Sequence, residues 1–158
     1  MRMKPTFGMS DKERKEVGEH LSDFLADTYA LLIKTQNFHW NVTGPEFFSL
    51  HLLFDRHYEE MAKGVDEIAE RIRTLGFFVD ASFSSFKKRA SVSEEHKKIS
   101  AKEMIERLVL GHELIAKKYR PLIHESQELH DEMSADLAIK RIAFHEKASW
   151  FLRSHLEK

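Results

Sequence analysis

Apolar or small residues recur at alternating spacings of four and three through most of this chain, and a bundle of long helices is the architecture that satisfies such a pattern. Val17, Leu21, Phe24, Thr28, Leu31, Thr35 and Phe38 keep the spacing for about six turns. Phe47, His51, Phe54, Tyr58, Met61, Val65, Ile68, Ile72 and Leu75 keep it again, as do Ile105, Leu108, His112, Ile115, Tyr119 and Leu122. Leu137, Phe144, Ala148 and Phe151 mark the inward side of a fourth run. Ser10 to Glu13, Thr43 to Glu46 and Ser100 to Glu103 each read as a capping box, a Ser or Thr followed three residues later by Glu. Helices are therefore predicted over about 11–38, from 46 to a stop at Gly76, from 101 to about 128 with Pro121 kinking it or leaving one carbonyl unpaired, and from about 131–134 almost to the end. The 24 residues from Phe77 to Ser100 lack periodicity, apart from a short helix predicted around Phe83 and Phe86, which are expected to cover the bundle. That link is long for a hairpin. The expectation is an all-α four-helix bundle whose second connection crosses over, with residues 1–9 as a flexible arm and 10–158 as one domain.

Composition narrows the chemistry. Charged residues are 32% and hydrophobic ones 42%, the balance of a soluble globular chain, and the net charge is −1. The absence of cysteine removes disulfides, thiolate metal sites and Cys nucleophiles, and also speaks against a secreted helical cytokine. No signal-peptide core or membrane span is read in the chain, so a cytoplasmic location is expected.

Chemistry concentrates between His39 and Glu70. On one straight helix, His51, Asp55, Asp66 and Glu70 fall at roughly 0°, 40°, 60° and 100° around the axis, two pairs in one arc. Imidazoles mixed with carboxylates suit a transition metal such as Fe²⁺. Yet Asp55 and Asp66 lie about 16 Å apart along the axis, whereas metal–ligand bonds are about 2 Å. One helix cannot close both pairs on one ion. Bundle di-iron sites within a chain use Glu-x-x-His, and that motif occurs nowhere here. The remaining solution is an antiparallel copy of the same helix across a two-fold axis, bringing His51 and Asp55 of one chain beside Asp66 and Glu70 of the other. The crossing would fall near residues 60–62, where the small Ala62 and Gly64 are expected to permit close approach.

His39-Trp40-Asn41-Val42-Thr43-Gly44, the two i,i+4 pairs, and Phe144 to Trp150 (Phe-His-Glu-Lys-Ala-Ser-Trp) together resemble the Dps family, the mini-ferritins or DNA-binding proteins from starved cells. The likeness spans about residues 10–155, and the ligand spacing of 12, 4, 11 and 4 is specific. The resemblance implies a ferritin-like fold and ferroxidase ligands at His39, His51, Asp55, Asp66 and Glu70. It implies a site between two-fold-related subunits of a homo-oligomeric shell of twelve, with iron (Fe²⁺/Fe³⁺) oxidised by hydrogen peroxide in preference to oxygen and stored as ferric mineral. It makes Trp40 an accessory candidate for trapping a stray oxidising equivalent, and Glu132 and Asp136 candidates for an acidic iron-entry pore. A rival reading is a nucleoid-associated DNA-binding protein, using Arg2, Lys4, Lys12, Arg14 and Lys15 on phosphates. Interleaved Asp11, Glu13 and Glu16 and a pI near 6.8 argue for weak binding or none.

Overall fold

A computed structural model describes residues 5–157, which form five helices: α1 (Asp11–Asn41), α2 (Phe47–Thr74), α3 (Phe83–Arg89), α4 (Ala101–Glu128) and α5 (Glu132–Ser154). The described residues contain no strand, so the chain is all-α as expected. The capping boxes at Ser10/Glu13 and Ser100/Glu103 form with both reciprocal bonds. The one expected at Thr43/Glu46 does not: α2 begins without a side-chain cap. Gly44 turns the chain at φ +112, and the Phe47 amide donates to the Gly44 carbonyl, which takes Thr43 out of the capping position. Gly76, at φ +97, terminates α2 as its sequence position predicts. α4 runs through Pro121 to Glu128.

Short links make α1–α2 and α4–α5 two antiparallel hairpins, and the crossover joins them along the length of α1. Arg89 bonds Asp23 (2.7 Å) and Glu19 (2.9 Å), the Asp27 carboxylate takes the Ser91 and Val92 amides, and Asn37 donates to the Glu95 carbonyl. The chain therefore travels from the start of α1 to its end before α4 begins, so α4 runs antiparallel to α1. Asp27 is the centre of this attachment. Wholly buried, it also accepts from Lys118 Nζ (2.8 Å) and Tyr119 Oη (2.6 Å) of α4, so every lone pair facing the core is used. Burial, reinforced by the bond to Asp27, holds the Tyr119 phenol far above its ordinary range.

The core is built from Leu21, Phe24, Leu31 and Phe38 of α1, Leu50, Phe54, Met61, Ile68 and Ile72 of α2, Leu108 and Ile115 of α4, and Leu152 of α5. Each such side chain contributes about 1.5–3 kcal/mol on burial. Two stripes depart from the sequence reading in part: on α2, Phe54, Met61, Ile68, Ile72 and Leu75 are buried as predicted, while Phe47, His51, Tyr58 and Val65 are not fully buried. On α2 the buried face is Leu50, Phe54, His57, Met61, Gly64, Ile68 and Ile72, so Phe47 is exposed and His51 half-buried rather than core-facing. On α5 it is Ser134, Ala135, Ala138, Arg141, Ile142, His145, Ala148, Ser149 and Leu152, with Leu137, Phe144 and Phe151 only half-buried. Hydrophobicity alone misjudges such faces, because small and polar residues occupy positions where helices approach closely. Gly64 is the sharpest case. A Cβ there would lie 2.3 Å from Arg141 Cζ, so its smallness serves the α2–α5 contact within the chain and not a two-fold crossing. Of the two aromatics expected to cover the bundle, Phe86 stacks on Tyr29 (4.8 Å), but Phe83 stands 85% exposed. Arg2 and Lys4 of the arm lie outside the described residues, while Pro5 lies against Gly76 and Met9 is partly buried against the core.

Candidate metal centre

The end of α1 and the first turns of α2 fold against each other so that His39 and His51 stack, ring centroids 3.8 Å apart and planes within 17°. Each ring is fixed by the other residue's backbone. His39 Nδ1 lies 2.8 Å from the His51 carbonyl oxygen, and His51 Nδ1 lies 2.9 Å from the His39 carbonyl oxygen. A carbonyl only accepts, so both Nδ1 atoms carry the proton. In the neutral form both imidazoles then present a bare Nε2 lone pair, the tautomer a metal requires, oriented by the backbone bonds that commonly support metal-binding histidines.

Asp55, one turn after His51, brings Oδ1 to 3.9 Å from His39 Nε2. Tyr58 donates its hydroxyl to the same oxygen at 2.5 Å, and its ring packs edge-on against His39. That hydrogen bond, with the neighbouring carboxylate charge, pushes the Tyr58 phenol up to about 12. Phe47 stacks on the outer face of His51 (5.2 Å). Thus His39, His51 and Asp55 form one group, held by two helices and a tyrosine.

Asp66 and Glu70 are not part of it. Both are exposed on α2, about three turns further along, and neither makes a hydrogen bond or ion pair within the described residues. No set of three His, Asp or Glu among the described residues is placed to hold a metal ion within one chain. At the His51 end of the arc that His51, Asp55, Asp66 and Glu70 share, the surface is apolar: Phe47 and Phe48 (72% exposed), Leu52, and Trp40 at the end of α1 (70% exposed). Trp40 is therefore a surface ring next to His39 in the chain, not a core residue. Patches of this kind mark surfaces that another macromolecule covers.

The remaining candidates are dispersed. Glu132 and Asp136 lie exposed in the first turns of α5, Asp136 paired with Lys140 at 2.7 Å, while the helix is capped by the buried Asp131, which also binds Arg71 at 2.6 Å. Arg14, counted among the basic residues for DNA, is 4% exposed and donates to the Leu75 carbonyl (2.7 Å) and to Asp11, so it is withdrawn from any phosphate surface. Unanticipated from sequence is the meeting of three buried histidines, His57, His112 and His145, between α2, α4 and α5. His112 stood on the predicted stripe. His57 and His145 were legible only by allowing a polar residue an inward position.

Comparisons with known proteins give the family and the fold. The family model for the ferritin-like domain matches residues 18–158. An uncharacterized low temperature-induced protein of a Nostoc species is 39% identical over 152 residues, covering 95% of this chain and 85% of its own. DNA protection during starvation protein 2 of Bacillus anthracis is 35% identical over 144 residues, covering 91% and 99%. The crystal structure of the DPS protein of Vibrio cholerae O1, described as a member of the ferritin-like diiron-carboxylate superfamily, superposes with a TM-score of 0.92 at 29% identity over 99% of both chains. With the fold, the ligand spacing and these relatives in agreement, the chain belongs to the Dps family of ferritin-like proteins.

Proposed function

We propose that this protein oxidises ferrous iron at sites shared between two copies of the chain, each copy giving His39, His51 and Asp55 to one site and Asp66 and Glu70 to the other. The observation that carries this reading is the reciprocal backbone latch of His39 and His51, which leaves two stacked imidazoles with bare Nε2 atoms beside a carboxylate. Such a set is half of a coordination sphere. The other half, two carboxylates without counterions, sits on the same outward arc of α2, and a two-fold axis near residues 60–62 brings the halves together in symmetric pairs. The exposed Trp40, Phe47, Phe48 and Leu52 supply apolar area for that contact.

Two Fe²⁺ ions held as substrate at one such site supply the two electrons that hydrogen peroxide needs, so that two Fe²⁺, one peroxide and two protons give two Fe³⁺ and two waters with no hydroxyl radical. Imidazole nitrogens together with carboxylate oxygens suit both oxidation states. We infer that ferric product is stored within a closed homo-oligomer, a dodecamer by analogy with the family, and that hydrogen peroxide is preferred over oxygen. Glu132 and Asp136 are then candidate entry residues, and Trp40 a candidate trap for a stray oxidising equivalent. Relatives named for DNA protection fit this chemistry without phosphate contact: removing Fe²⁺ and peroxide together protects DNA, and burial of Arg14 leaves a thinner basic surface than the sequence suggested. The test is to add Fe²⁺ and then hydrogen peroxide and follow ferric absorbance. The native chain should exceed buffer by well over tenfold, and His51→Ala with Asp66→Ala should lose at least about tenfold of that rate. A rate indistinguishable from buffer, or one untouched by the double change, refutes the proposal.

A further inference from the structure

His112 of α4 and His145 of α5 are both wholly buried, and their Nδ1 atoms lie 2.8 Å apart. Such a contact needs one N–H and one lone pair, so at least one of the two rings must be neutral. The Nε2 of each ring is buried with no partner. No carboxylate among the described residues makes contact with the pair. From α2 it meets His57, whose ring is 5.7 Å from that of His112. α5 adds Phe144 and, one turn away, Arg141, whose guanidinium lies over the Phe144 ring at 5.0 Å. From α1 it meets Phe24, 6.4 Å from His145. Phe24 also stacks on Tyr119 of α4 (4.2 Å), whose hydroxyl is committed to Asp27, and the Asp27 carboxylate is already used by Lys118 and the crossover. The nearest full charge named by these contacts is thus a cation.

We propose that the His112–His145 pair is an acid-operated latch on the α4–α5 seam, closed while both rings are neutral and forced open when they take up protons. A proton added to the closed pair meets a dry site, a second imidazole and Arg141. A second proton also destroys the only acceptor. Protonation is therefore coupled to opening, where water solvates both rings. Burial, with the neighbouring cationic and imidazole groups, pushes His145 down to about 3 and His112 well below its ordinary value. The sign follows. A histidine depressed in the folded state supports folding fully above its unfolded value, about 6.5, and loses that support as the pH falls toward the folded value. Each imidazole raises the opening constant about tenfold per pH unit in this window, so the pair raises it by up to about a hundredfold per unit. The upper part of this window lies above pH 5, where most carboxylates are still ionised, so it can be read before they titrate.

The test compares the native chain with His112→Phe/His145→Leu, by urea unfolding followed by circular dichroism at pH 7.5, 6.5, 5.5 and 5.0 and fixed protein concentration. The native unfolding constant should climb by up to about a hundredfold per pH unit below 6.5, and the variant's slope should be shallower by up to two protons per chain. Equal slopes overturn the latch. If the variant does not fold, solid-state nuclear magnetic resonance of the ¹⁵N-histidine-labelled native protein decides. Both rings should stay neutral until the fold is lost, and an imidazolium at either position in the folded protein at pH 5.5 overturns the proposal.

Discussion

Two inactive versions of this chain should restore one another. Take one version lacking His51 and Asp55 and a second lacking Asp66 and Glu70, each by substitution with alanine. Neither change reaches the core: Asp55 supports only the Tyr58 hydroxyl and the 3.9 Å contact to His39, the latch of His39 loses one acceptor bond, and Asp66 and Glu70, both exposed, make no hydrogen bond or ion pair among the described residues. Each version should fold, at a cost of about 1 kcal/mol for each hydrogen bond lost. If sites are shared across a two-fold, each version alone has every site halved and oxidises Fe²⁺ at background rate. When the two are unfolded, mixed in equal amounts and refolded together, about half of the pairs are mixed. In a mixed pair one site loses both halves and the other is complete. Activity should therefore return to about one quarter of native, and should rise and fall with the mixing ratio as the product of the two fractions. The assay is peroxide-driven Fe²⁺ oxidation, with assembly checked by light scattering. Absent recovery in properly assembled mixtures refutes the shared site, as does substantial activity in either version alone.

Other consequences follow from single contacts. Asp27→Ala removes the acceptor for Ser91, Val92, Lys118 and Tyr119 together, and should cost about 3–5 kcal/mol in urea unfolding while freeing the crossover to hydrogen exchange; a loss under about 1 kcal/mol would show that the carboxylate is not what ties the crossover to α1. Gly64→Ala would normally favour a helix, but here the new Cβ must displace the Arg141 guanidinium from Glu60, and a net loss of about 1–3 kcal/mol is expected, with a gain in thermal stability as the refuting result. The Tyr58 phenol, held up by Asp55, stays neutral through the range where tyrosines ordinarily ionise; its contribution to stability is present below about pH 10 and is lost as the pH rises toward 12. Ultraviolet titration of metal-free protein should show two late tyrosines, Tyr58 and Tyr119, of which the earlier moves down in Asp55→Ala, and an unchanged titration would break the link between Tyr58 and Asp55.

Periodicity, caps and ligand spacing were readable because each depends on local geometry. A four-three stripe specifies a helix whatever surrounds it, and Ser10/Glu13 and Ser100/Glu103 complete their caps from within one turn. The link from Phe77 to Ser100 declared a crossover by its length alone, since loop length bounds which helices can be neighbours. The failed cap at Thr43 belongs to the same level, where a left-handed Gly44 outweighed a motif match.

The misreadings concern which face of a helix looks inward, and that belongs to packing. Gly64, Arg141 and His145 are not apolar, yet they occupy the α2–α5 and α4–α5 seams, because a close approach needs a small residue, and a polar group that keeps some of its partners, as Arg141 does with Glu60 and His145 with His112, can be buried beside it. The half-site divides the same way. That His51, Asp55, Asp66 and Glu70 share an arc follows from about 100° per residue, and so does their being too far apart for one ion. That His39 joins them, that both rings are held as Nδ1–H tautomers by each other's carbonyls, and that Trp40 stands in the open required the end of α1 to meet the start of α2. Backbone acceptors have no signature in the identity of side chains. The sequence by itself determined the helices and the candidate ligands they carry; the tertiary structure decided which of those residues meet, and which ring nitrogen faces a backbone carbonyl.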